Sequence, residues 1–369
     1  MPMFLPAFSL VLAVFAGQAS AATATRPLNI PATNDEATIA YDINAAGQVA
    51  AVLEDEEGRQ RGVLFEKGVI TELGKPGGKY SDARAINPSG LIIGSARNAN
   101  GTWSAFLFDR AGGLRELGTL GGPSSYGMAI NDAGDAAGFA DAPNGDWHAF
   151  VYRNGEMRDL GTLGGKISYA SGMNNVGQVV GTASKPDDYR RAFVWDPVRG
   201  MVDLGTLGGR SSAAAAINDS GVVVGSSETA DRKWHAFIHD GQKMIDLGAM
   251  IGYGSSFATD VNNAGHVVGT LMSGDERLSF VYRNGKMAVH RGGKGLHLTN
   301  SINDNELVIG ARLDRRLTAA TMISNAVPVP EPRGGTKFMT TIVLIVLAAA
   351  AAVFYRRRYH GILLPTMSA

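Results

Sequence analysis

A short element, an Ile, Val or Met followed by Asn-x-x-Gly and then an apolar pair, recurs along the whole middle of this 369-residue chain. It starts at Ile43, Ile86, Ile130, Met173, Ile217, Val261 and, with Glu306 in place of the Gly, Ile302, at intervals of 43, 44, 43, 44, 44 and 41 residues. A constant period in the forties marks an array of one supersecondary unit, in the length range of a propeller blade. The repeat therefore decides the fold class before composition is consulted.

Each unit divides into four short strands. In the unit near Ser168, residues 168–174 lead into the turn Asn175-Val176-Gly177, where Gly supplies the positive φ of a tight hairpin. Residues 179–183 (VVGTA), 191–195 (RAFVW) and 201–205 (MVDLG) read as the next three strands, and Thr206-Leu207-Gly208-Gly209 as the passage onward. Four strands with Gly-rich turns in about 43 residues match one propeller blade.

The third strand reads His148-Ala149-Phe150 and His235-Ala236-Phe237, and the fourth runs into Asp159-Leu160-Gly161-Thr162-Leu163-Gly164-Gly165. These triplets and the recurring DLGTLGG resemble the HAF-repeat family of extracellular proteins, over nearly the whole mature chain. The resemblance implies an exported protein and brings no established activity with it.

The unit from Ile302 has strands at 306–311 and 317–324 and then runs into a Pro-rich segment, so it lacks a fourth strand. Arg26–Ile30 stands ahead of the first unit at the spacing of a fourth strand. The expectation is an all-β fold, a seven-bladed β-propeller over residues 22–326 closed by that N-terminal strand, because a ring abolishes open sheet edges.

The ends carry other signals. Residues 3–16 are unbroken apolar, and Ala19-Ser20-Ala21 followed by Ala22 fits a signal-peptidase site, although no Lys or Arg precedes the apolar core. Residues 1–21 are read as a signal peptide. Residues 338–355 hold no charge and as a helix would span a bilayer. Arg356, Arg357 and Arg358 close that segment, so residues 356–369 form a basic cytoplasmic tail and the body lies outside the inner membrane. Residues 327–337 are a Pro-stiffened linker. Pro330-Glu331-Pro332, an apolar helix and an Arg cluster, in that order, resemble the PEP-CTERM sorting signal of Gram-negative bacteria. The resemblance implies processing by an exosortase and an association with exopolysaccharide. Residues 359–369 continue past the Arg cluster, so a plain single-pass anchor is the alternative.

Candidate chemistry is sparse. Lys plus Arg and Asp plus Glu number 34 each, which gives no field to gather nucleic acid, and the absence of Cys removes disulfides and thiolate metal sites. His148 and His235 share one repeat position that Ser104 and Arg191 fill elsewhere, which fits a structural polar group. Asp132, Asp219 and Asp304 follow the repeat Asn and read as turn formers bonding their own backbone, calcium being the alternative. Trp103, Trp147 and Trp234 precede the third strand; they pack between blades or stack on sugar rings. DLGTLGG is lost after Met287, where Arg291 and Lys294 appear. No catalytic motif and no cofactor signature is present. The reading is a non-catalytic envelope scaffold that binds a protein partner or extracellular polysaccharide. The alternative is a polysaccharide-processing enzyme with its site at the channel mouth.

Overall fold

The computed structural model describes residues 25–27, 37–73, 80–252, 254–274, 276–290, 296, 298–313 and 317–323. Residues 1–21, read above as a signal peptide with Ala19, Ala21 and Ala22 at its end, the Pro-rich segment with Pro330, Glu331 and Pro332, the apolar segment 338–355 and Arg356–Arg358 lie outside them. Among the described residues no helix is long and apolar enough to cross a membrane.

The described chain is an all-β propeller of seven four-stranded sheets, with one short helix at Gly248–Ile251. Six sheets are blades complete within one stretch of chain: residues 37–72, 81–116, 125–159, 168–203, 208–246 and 255–290, here blades 1 to 6. The remaining sheet is composite. Leu298–Ile302, Leu307–Leu313 and Leu317–Ile323 are joined on their outer side by Thr25–Pro27, with Thr25 opposite Met322. This is the closing sheet. The first strands of adjacent sheets touch one another all the way round, that of the closing sheet lying between blades 6 and 1. They line the central channel.

The repeat residues explain the blade. The HAF phenylalanines Phe106, Phe150, Phe193 and Phe237, with Phe280 at the same position, are wholly buried. Each burial contributes about 1.5–3 kcal/mol. Each Phe lies opposite a Gly on the second strand: Gly94, Gly138, Gly181, Gly225 and Gly269. The first strand bulges at this point, which aims a carbonyl at the glycine. A Cβ on Gly181 would sit 2.1 Å from the Tyr169 oxygen and 3.0 Å from the Phe193 ring. Blade 1 departs from the pattern on both sides of the pair, with Ala51 opposite Val63. The smaller Val leaves room for the extra methyl.

The repeat asparagines stitch the sheets into a ring. Each Oδ1 accepts from its own hairpin, as Asn174 does from Gln178 N at 2.9 Å. Each Nδ2 donates to the backbone oxygen of the next repeat Asn: Asn44 to Asn87 (3.0 Å), Asn174 to Asn218 (3.0 Å), and finally Asn303 back to Asn44 (3.3 Å). All seven are buried or nearly so, and the circuit is closed by that last bond. This ladder defines one face of the propeller; the DLGTLGG passages lie on the other, the passage face.

Candidate functional site

On the passage face, the HAF and DLG motifs turn out to be one device. His148 Nδ1 lies 2.7 Å from Asp159 Oδ2, and His235 Nδ1 2.9 Å from Asp246, within the same blade. In blade 4, Lys185 and Arg191 face Asp203 instead, at 3.2 and 3.9 Å. The aspartate also caps the start of the passage, as Asp159 Oδ1 accepts from Gly161 N at 2.7 Å. A serine heading the next blade completes the seam. Ser212 Oγ accepts from Ala192 N (2.9 Å) and donates to Gly205 O (2.6 Å), and Ser125 does the same for Ala105 N and Gly118 O. The signature histidines hold strands together. Among the described residues no three His, Cys, Asp or Glu side chains could hold a metal ion.

The tryptophans follow the same logic. Trp103 is 6% exposed and its ring lies 5.9 Å from that of Tyr126 on the next blade. Trp234 stacks on Phe257 of the next blade at 6.5 Å, and half-buried Trp147 packs on Phe139, which also meets Tyr169 of the next blade edge-on at 6.2 Å. Tryptophan occurs where the following blade offers an aromatic ring: Tyr126, Tyr169 or Phe257. Where that blade offers Asp82, Ala213 or Leu298, the position holds Gln60, Arg190 or Arg277. Trp103 is therefore an inter-blade wedge with almost no face left for a ligand.

The ladder face corrects one expectation. Asp132, Asp219 and Asp304 do not bond their own turns, a role already filled by the preceding asparagines. They alternate with Asn175 and Asn263 across blades 3 to 6 and the closing sheet. Asn175 N donates to Asp219 Oδ1 (2.9 Å), Asn175 Nδ2 to Asp132 and Asp219 (both 3.0 Å), and Asn263 N to Asp304 Oδ1 (2.8 Å). The exposed row stops at Ala45 and Pro88, which carry no polar side chain.

Inside the channel lies the constellation that sequence reasoning missed. Asp42 and Asp260 occupy the same bulge position in blades 1 and 6, on either side of Ser301 in the closing sheet. Ser301 Oγ donates to Asp42 Oδ1 at 2.8 Å. Asp42 Oδ2 accepts from Ile86 N and Asp260 Oδ2 from Ile302 N, each at 2.8 Å, so each carboxyl reaches into the following sheet. Burial raises Asp42 above the usual carboxylate range and pushes Asp260 up to about 7, the nearby Asp42 charge adding to the latter. Next to them Arg84 lies over the Tyr41 ring at 4.4 Å and pairs with Asp82 at 3.2 Å. The readable signal was an Asp two residues before the repeat Asn in only two units, flanking the incomplete one.

Blade 6 breaks the pattern inside its core as well. Ser279 replaces the alanine of HAF and His290 the leucine of DLG, and the two are register partners. Ser279 Oγ and His290 Nε2 are buried without hydrogen-bond partners, and burial lowers the His290 pKa. Arg291 and Lys294 lie outside the described residues.

No family model matches the chain, and no curated protein matches it. Solved propellers do. The β-propeller domain of the Trilobed protease from Pyrococcus furiosus is 11% identical, with a TM-score of 0.54 over 78% of this chain and 96% of that one. That domain is described as having an open velcro topology, whereas here Thr25–Pro27 completes the closing sheet. An acylaminoacyl peptidase from Pyrococcus horikoshii (15% identity, TM-score 0.53) and a puromycin-hydrolysing peptidase from Mycobacterium tuberculosis (14%, 0.52) align over 76% and 77% of this chain. The chain spans 50% of the length of each peptidase, and the likeness is one of fold.

Proposed function

We propose that this chain is an exported, membrane-anchored scaffold that presents a closed seven-sheet propeller at the cell envelope to bind extracellular polysaccharide or a protein partner. The observation that carries the reading is the meeting of both chain ends in one sheet. Thr25 and Met322 are paired neighbours, and the antiparallel strands leave the ring together on the ladder face. The ring is thus complete between them, and residues 1–21 and 338–355 act as appendages: a signal removed on export and a helix holding the body. On this reading the ladder face is turned towards the membrane and the passage face outwards. An exosortase then cuts near Pro330-Glu331-Pro332.

The channel carboxylates favour a structural over a hydrolytic role. The oxygens of Asp42 and Asp260 accept from Ile43, Ile86, Val261 and Ile302 backbone N–H groups, which ties both carboxyls to the strands around them. Incubating the purified full chain with exopolysaccharide tests this: co-sedimentation with unchanged polymer length is expected, and depolymerisation would reject the scaffold reading. Sorting is tested by Glu331→Gln, which is expected to trap an uncut membrane form. Tail peptides 359–369 still joined to the body in wild-type cells would instead leave a plain anchor.

A further inference from the structure

We propose that the seam between blade 6 and the closing sheet binds an internal water molecule between Ser279 and His290, and that this flank of the closing sheet is docked through it. The sequence departs from the repeat there at three places at once. Ser279 stands where blades 1 to 5 carry Gly62 or an alanine, His290 where they carry a leucine, and Thr299 where the other first strands carry alanine or glycine. These positions meet in space. Thr270, Ser279 and His290 are register partners across the second, third and fourth strands of blade 6, so their side chains project from one face. Thr270 Oγ1 lies 3.4 Å from both Thr299 Oγ1 and Thr299 N, which identifies that face as the one packed on the closing sheet.

The polar groups of this face lack good direct bonds. Ser279 is wholly buried and its Oγ has no hydrogen-bond partner, nor has the buried Nε2 of His290. The threonine hydroxyls, Thr259 included, meet Thr299 Oγ1 at 3.4 to 3.5 Å, against about 2.7–2.8 Å for an ordinary hydroxyl pair. Leaving such groups unbonded is costly, and protein interiors meet the need with an enclosed water that makes about two to four hydrogen bonds. Register partners have Cβ atoms about 4.5–5.5 Å apart, close enough for one water to reach both side chains. Burial lowers the His290 pKa, so the imidazole is neutral and Nε2 donates or accepts according to its tautomer; water suits either. The position gives this water a role. On the blade 1 flank the closing sheet is held by direct bonds, Ser301 to Asp42 and Asn300 to Ala40 O. On the blade 6 flank the short bonds, Ile302 N to Asp260 and Arg283 to Glu306, lie towards the ladder face. Towards the passage face the only hydrogen bonds crossing this seam among the described residues are the long threonine contacts, and there the water completes the joint.

Crystal structures of the full chain, as wild type and as Ser279→Ala/His290→Leu, test the site. The double variant restores the pair that blade 5 carries as Ala236 and Leu247. In wild type one ordered water is expected within about 3.2 Å of both Ser279 Oγ and His290 Nε2, and in the variant none. Oxygen-17 relaxation dispersion counts long-lived internal waters in solution, and the count is expected to fall by about one from wild type to variant. A wild-type seam in which Ser279 Oγ bonds His290 Nε2 directly, or in which no water touches both atoms, would overturn the proposal. An equal count of long-lived waters in the two proteins would overturn it as well. Should the double variant fail to fold, Ser279→Ala alone removes one of the two partners. A water held at His290 with unchanged occupancy in that variant would show that the serine does not bind it, and the bridge would fall.

Discussion

Gly181→Ala, made alone and with Phe193→Val, probes the packing rule of the blade. The new Cβ would lie 2.1 Å from the Tyr169 carbonyl oxygen, 2.9 Å from the Ala170 Cα and 3.0 Å from the Phe193 ring. An ordinary contact needs about 1 Å more at the carbonyl, and both backbone neighbours belong to a bulged strand fixed by the asparagine ladder. Relief must come from the ring of Phe193, itself wholly buried. Overpacking of this kind costs about 2–3 kcal/mol. With about 2–4 °C per kcal/mol for a domain of this size, the melting temperature should fall by about 5–10 °C. Phe193→Val alone leaves a void and costs about 2 kcal/mol. Together the pair recreates the Ala51–Val63 arrangement of blade 1, so the double variant should be more stable than the sum of the singles by about 1 kcal/mol or more. Thermal and denaturant melts of the three variants measure the cycle. A Gly181→Ala variant melting within about 1 °C of wild type, or strict additivity, would refute the reasoning.

Asn174→Ala removes a buried donor to Asn218 O and the acceptor for Gln178 N; it should cost about 2–4 kcal/mol, while exposed Asn175→Ala should cost under about 1 kcal/mol, both read by denaturant midpoint. Trp103→Ala should destabilise by about 3–5 kcal/mol in a thermal melt and leave polysaccharide co-sedimentation of the folded fraction unchanged. Deleting residues 25–27 exposes the outer edge of Leu317–Ile323; hydrogen exchange in that strand should rise well before exchange in blade 4, and equal protection would mean the pairing contributes nothing.

The period, the four-strand unit and the incomplete last repeat are local facts of sequence, because each blade is one hydrophobic pattern repeated in register. They determined an all-β propeller and pointed to the N-terminal segment as the strand that completes the last sheet. The turn glycines were legible for the same reason. What a polar repeat residue bonds to was not. Asp219 is bonded by Asn175, 44 residues away, and Asp42 by Ser301, 259 residues away. His148, Trp103 and Asp132 invite readings as ligands in a linear string, since nothing in it says which surface the next blade covers. Only the ring decides that. Radial packing turns each blade's exposed face into its neighbour's partner, and closure brings blades 1 and 6 to either side of one serine.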